Sequence, residues 1–194
     1  MSSVKKDFIC VGHSVTKVDV LDKALGKALY SEDMKFPGLL YGKVLRSPFP
    51  HAIIKNIDKS KAEAMDGVVR VVTADDLPAN NTFGIAYLDQ YPLIKDKVRY
   101  IGDPVAVVAA ESEEIAREAV RAIKVEYEKL PAVFTPQEGL AEGAPKVHEK
   151  GNIVLHHKTI KGNVEEGFEQ AAVIVENTYK THVVDHAYIE TESG

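Results

Sequence analysis

The chain has 194 residues, 45% of them hydrophobic and 27% charged, which is the balance of a folded chain rather than a disordered one. Its net charge is -5 and no block of Lys and Arg forms, the nearest being Lys5-Lys6 and Lys95-Asp96-Lys97, so no nucleic-acid partner is expected. One cysteine, Cys10, excludes an internal disulfide and any zinc or iron–sulfur site built from this chain's thiolates alone.

No apolar h-region follows the Lys5-Lys6 start, and the longest apolar run, Val105 to Ala110, is too short to cross a bilayer. The expectation is a cytoplasmic protein with no membrane partner. Residues 1–20 carry no sustained period and read as an arm or short strand. Leu39 to Ser47 and Ala52 to Ile57 read as strands, bounded by Pro37-Gly38 and Ser47-Pro48. Their separation is that of a hairpin. Ser60-Lys61-Ala62-Glu63 matches a capping box, which predicts a short helix ending at Gly67. A strand over Val68 to Thr73 and a helical turn at Asp75-Asp76 follow.

The clearest helix spans 112–123. Ile115, Ala116, Ala119, Val120 and Ile123 share one face, Ser112 is placed to cap, and Glu113 and Glu114 complement the dipole. Strands at Val105–Ala110 and about Ala122–Tyr127 flank it. The class is therefore α+β, a mixed β-sheet with packed helices. From Pro131 to Lys150 the composition is that of a linker, with a helical turn near Pro136–Leu140. Beyond it lie a β-prone run at Ile153–Ile160, a turn at Gly162-Asn163, a short helix over Val164–Gln170, and a second β-prone run from Ala172 to Ile189. That last run ends without a closing element, so the chain reads as cut in mid-domain.

Residue chemistry alone names no enzyme. No phosphate-binding glycine motif occurs, and Gly12-His13-Ser14 opens like a nucleophile elbow but has Thr16 in place of the closing glycine. No sequence neighbour marks Cys10 as a catalytic thiolate, and His13 assists it only if the local turn is tight. Five of seven histidines, His148, His156, His157, His182 and His186, lie in the last quarter. His182, His186 and Glu190 are four apart, a ligand spacing on a helix. The neighbouring Thr181, Val183, Val184, Tyr188 and Ile189 favour a strand, on which residues four apart stand about 13 Å from each other, too far for one ion.

Read as motifs, the same residues say more. Leu39 to Pro48 (LLYGKVLRSP) with His51-Ala52 resembles the opening strand and turn of the α/β hammerhead domain of xanthine dehydrogenases, aldehyde oxidoreductases and carbon monoxide dehydrogenase large subunits. Val98 to Ala106 (VRYIGDPVA) resembles the second hallmark, and Val125–Glu128 with Leu130–Val133 the third, in the same order and spacing. Gly162-Asn163-Val164, Gly167-Phe168, Tyr179 and His186-Ala187-Tyr188-Ile189-Glu190 are similar to the entry of the first molybdopterin-binding domain. Ala171-Ala172 replaces the usual Ala-Asp, and Thr191 stands where many members have Pro. The resemblance covers about Val11 to Glu190.

Each motif also has a plain structural role. Gly102-Asp103-Pro104 suits a turn between strands, Arg46 can pair with a carboxylate across the sheet, and His51 can bond backbone near the Pro-rich turn.

The resemblance implies an arm at 1–20, a hammerhead domain at 21–133, a linker at 134–152 and the truncated start of a molybdopterin-binding domain at 153–194. It implies part of the molybdopterin-binding subunit of an oxidoreductase that hydroxylates an aldehyde or N-heterocycle C–H with oxygen from water. A molybdenum–pterin cofactor serves the complete enzyme, with 2Fe-2S clusters and FAD on other domains or subunits. The partners implied are the remainder of the molybdopterin subunit and iron–sulfur and FAD subunits. The family's Gly-Gly-Phe-Gly-Gly loop, cofactor-facing Gln and late catalytic Glu have no counterpart in these residues. No catalytic, cofactor-binding or metal residue is therefore assigned to this chain, and alone it should bind no cofactor and turn over no substrate. The alternative is a stand-alone, non-enzymatic α/β module that binds a protein partner through an open sheet edge.

Overall fold

In a computed structural model, residues 8–78, 82–85 and 87–188 are described, and they divide into two compact units. One unit is Gly38–Val175; the other joins the segments before Gly38 and after Val175.

Among the described residues the Gly38–Val175 unit contains six strands: β1 Tyr41–Arg46, β2 Ala52–Asp58, β3 Val68–Thr73, β4 Lys97–Val98, β5 Pro104–Ala110 and β6 Lys124–Lys129. They form two sheets in the orders β1-β5-β3 and β4-β2-β6. The α+β class stands, and strand direction is refined: every ladder in both sheets is antiparallel. The spacing of β1 and β2 is not that of a hairpin partnership. β1 pairs with β5 (Val44 opposite Val107), while β2 crosses to the other sheet and pairs with β6 (Ile54 opposite Tyr127). The turn at Ser47–Pro50 sends the chain from one sheet to the other, and two prolines there exclude a continued ladder.

Helix α3, Glu113–Ala122, closes one face of the first sheet. Ser112 caps it as expected, its hydroxyl accepting from Ile115 N at 3.2 Å. Ala116 and Ala119 are fully buried against Ala106, Val108 and Ala110 of β5. Alanines on both elements let helix and sheet approach closely. A second core joins Ala52, Ile94, Val98 and Val105, and Leu45, Ile57 and Val125 pack against both cores.

Helix α2, Ser60–Glu63, is shorter than expected and is not started by a capping box. Asp58 does that work: its carboxylate accepts from Ser60 N at 3.1 Å and from Ser60 Oγ at 2.6 Å. Lys59, just before the helix, donates to the Val71 carbonyl (3.2 Å) and to Asp76 (3.0 Å), sealing a backbone acceptor at the edge strand β3. A 3-10 turn at Ala74–Asp76 follows β3.

The stretch 134–152 is a linker by composition yet is tied down. Helix α4, Pro136–Leu140, is capped by Thr135. The Asn152 amide donates to the carbonyls of Gly139 and Pro145, both at 3.0 Å, and its oxygen accepts from Val147 N at 2.9 Å. Beyond Asn152 the chain changes character. Ile153–Ile160 forms no strand, and helix α5, Val164–Glu169, lies within residues that are all exposed. The β-prone run from Ala172 likewise forms no strand over 172–188; Ile189 lies outside the described residues.

In the other unit, helix α1 spans Val20–Ala24 and is braced by a Lys23–Asp19 ion pair at 2.7 Å. The arm before it, residues 8–19, is without strand.

Candidate functional site

The three hammerhead stretches meet where β1 and β6 end and β5 begins. In the Arg99–Asp103 turn the Asp103 carboxylate, 3% exposed, accepts from Arg99 N at 2.5 Å and Tyr100 N at 3.3 Å. Gly102 holds φ +103°, a backbone region that a side chain would strain. Ser47 N donates to the Asp103 carbonyl (2.8 Å), and Gly102 N donates to the Ser47 carbonyl (2.9 Å). These two bonds zip the first motif to the second. Arg46 does not pair with a carboxylate here; its guanidinium donates to the Gly102 carbonyl at 2.9 Å.

His51 joins the third motif. Its Nδ1 lies 2.6 Å from the Pro131 carbonyl and its own carbonyl accepts from Leu130 N at 2.9 Å. Since a carbonyl can only accept, Nδ1 carries the proton. Nε2 is buried without a partner. Phe49 stacks edge-on against Tyr127 at 5.2 Å, and burial pushes the Tyr127 phenol above its ordinary pKa. The Tyr100 phenol is raised too, first by burial and then by the Asp103 charge. In this junction Arg46, the Ser47 hydroxyl, His51 Nδ1 and the Asp103 carboxylate each bond backbone. It is a structural clasp, with no nucleophile–base pair in it.

A concave site that the sequence reading missed lies on the same unit: a cavity of about 550 Å³ between Ile85, residues 87–91 and residues 148–154. His148 Nδ1 faces Asp89 at 3.2 Å, Lys150 sits 4.4 Å over the Tyr87 ring, and Arg99 presents a buried Nε with no partner. Burial and the neighbouring Arg99 charge lower the pKa of Lys97. Only tertiary packing brings these segments together, so no local pattern announces them.

Among the described residues no group of three or more His, Cys, Asp or Glu is placed to hold a metal. His156, His157, His182 and His186 are exposed, and Glu190 lies outside the described residues. Cys10 is exposed on a tight turn closed by His13 N to the Cys10 carbonyl at 3.1 Å.

Residues 25–131 match the family described as aldehyde oxidase and xanthine dehydrogenase, a/b hammerhead domain. The chain belongs to this family. Residues 147–194 match the molybdopterin cofactor-binding domain. Among curated relatives, a probable xanthine dehydrogenase subunit of Bacillus subtilis (strain 168) is 46% identical over 181 residues, which cover 93% of this chain and 24% of the relative. The nicotinate dehydrogenase large molybdopterin subunit of Eubacterium barkeri is 42% identical over 189 residues, covering 97% of this chain and 44% of the relative. In the solved quinoline 2-oxidoreductase of Pseudomonas putida 86 the match is 33% identical, with a TM-score of 0.72 over 83% of this chain and 22% of that one. The aldehyde oxidoreductase of Desulfovibrio gigas matches at 32% identity and a TM-score of 0.63, over 68% of this chain and 16% of that one. The chain thus spans less than half the length of these relatives.

A molybdenum–pterin group does not fit the described residues of the cofactor-binding match by themselves. Residues 153–188 are exposed throughout, and their one helix, α5, has six residues. A pterin pyrophosphate needs converging buried donors, and none converge there. Among the described residues no helix is long and apolar enough to cross a membrane.

Proposed function

We propose that this chain is the hammerhead-bearing portion of the molybdopterin-binding subunit of a molybdenum hydroxylase, an oxidoreductase that places water-derived oxygen on the C–H of an aldehyde or N-heterocycle. The observation that carries it is the consecutive match to the hammerhead and molybdopterin cofactor-binding domains at 25–131 and 147–194. The division into an arm at 1–20, hammerhead at 21–133, connector at 134–152 and cofactor-domain entry at 153–194 belongs to this reading. So do a cytoplasmic location, 2Fe-2S clusters and FAD on partner subunits or domains, and electron flow from molybdenum through them. The clasp supports a scaffolding role: Arg46, His51 Nδ1 and the Asp103 carboxylate are each bonded to backbone.

The test is purification from the native host with intact-mass and molybdenum analysis. A polypeptide or tight complex that carries molybdenum and pterin supports the reading. A free 21.3 kDa protein without either overturns it.

A further inference from the structure

Strand β3 is an outer strand of the first sheet, paired with β5 alone among the described residues. Its sequence, Val68-Val69-Arg70-Val71-Val72-Thr73, holds five β-branched residues in six, and Val69 is 55% exposed. An open edge of that composition is a template for another strand. Val71 and Thr73 stand two apart, so their amides and carbonyls face the same side of the strand. On that side both find partners outside the ladder. The Val71 carbonyl accepts from Lys59 Nζ at 3.2 Å, and the Thr73 amide donates to Asp76 Oδ2 at 2.8 Å.

Lys59 and Asp76 are themselves paired at 3.0 Å through that same Oδ2. In a parallel ladder, one residue of an incoming strand would donate to the Val71 carbonyl and accept from the Thr73 amide. Here the ammonium stands where that residue's N–H would be, and the carboxylate stands where its C=O would be. Glu63 Oε1 lies 3.3 Å from Nζ, so the three ammonium hydrogens face three oxygens. Arg70 lies 3.8 Å from the second Asp76 oxygen and holds the carboxylate from its other side. We infer that the Lys59–Asp76 pair takes the place of one residue of a neighbouring strand. It thereby closes the β3 edge to β3 of a second copy of this chain. The device is local, since every group in it lies between Lys59 and Asp76.

The experiment is sedimentation velocity on the 194-residue chain and its variants, with circular dichroism to check the fold. Concentrations of about 10–100 µM suit it, the range in which open strand edges associate. Lys59→Met keeps the side chain's length, removes the donor and lies outside both hydrophobic cores. It should bind itself roughly tenfold more tightly than the parent does. Lys59→Arg keeps charge and donors and should sediment as the parent. Ser112→Ala weakens the α3 cap but not the edge, so it reads what lost stability alone does and should not raise association. Adding Val69→Lys to Lys59→Met puts a charge on the opened edge and should return it to the parent's behaviour. A Lys59→Met chain that associates no more than the parent overturns the inference. Ser112→Ala associating as strongly as Lys59→Met overturns it too, and so does a double variant that still associates, because the contact is then not at β3.

Discussion

Asp103 offers the sharpest test of how the clasp is held. Its carboxylate is buried and takes the amides of Arg99 and Tyr100, while its backbone carbonyl takes the amide of Ser47. Asp103→Ala deletes this buried acceptor and leaves two amide donors without it, under a turn whose tip, Tyr100 and Ile101, is exposed. Hydrogen bonds to a charged group contribute about 1.5–3 kcal/mol, and an unmet buried donor costs a further ~1 kcal/mol or more. A second penalty comes from the turn itself: freed from the carboxylate, it no longer presents the Asp103 carbonyl and Gly102 amide to Ser47. We expect about 3 kcal/mol of destabilisation, a drop in melting temperature of roughly 6–12 °C for a unit of this size. Asp103→Asn keeps an acceptor of the same shape without the charge and should lose about half as much. Thermal unfolding followed by circular dichroism measures both. If Asp103→Ala melts within about 2 °C of the parent, the carboxylate is not what holds the turn and the clasp does not depend on it.

Other outcomes are as specific. Gly102→Ala meets no atom within 4 Å, so its cost is backbone strain alone, about 1–2 kcal/mol in urea unfolding; a neutral result would mean that the turn adapts. Ser112→Ala should cost about 1 kcal/mol through loss of the α3 cap, also read by urea unfolding, and Ser112→Asp should restore it. Asp76 has its pKa lowered to about 2 from 3.8, first by the Thr73 amide and then by Lys59. A depressed carboxylate stabilises above its unfolded value, so that contribution should fade as pH drops from about 4 to about 2, and Asp76→Asn should flatten that part of the stability–pH curve. Limited proteolysis should cut first within 153–188 and spare 134–152, because the Asn152 amide pins the latter; early cleavage near Gly143 would contradict that reading.

Much of the fold was legible because its signals are local. The α3 stripe, its Ser112 cap and the β-branched run of β3 each encode an element within a dozen residues, and each formed where the pattern placed it. Partnership was not legible. β1 and β2 sit at hairpin spacing but pair into different sheets, because the Ser47–Pro50 turn answers to Asp103 and Gly102, more than fifty positions away. Arg46 is another such case: its charge suggested a carboxylate, and its partner is a carbonyl that only the Gly102 turn presents. The cavity between Ile85, residues 87–91 and residues 148–154 had no local signature for the same reason.

The two β-prone runs near the end divide these influences most cleanly. The β-prone runs at 153–160 and 172–188 suit strands, but a strand becomes a ladder only when a second backbone meets its amides and carbonyls. β1 to β6 have that second backbone within 41–129; the later runs do not find one among the described residues. Linker composition at 134–152 misled in the opposite direction, since one side chain, Asn152, supplies three hydrogen bonds that Pro and Gly content cannot announce. Pattern therefore specifies a residue's face, and order follows from whether a partner arrives.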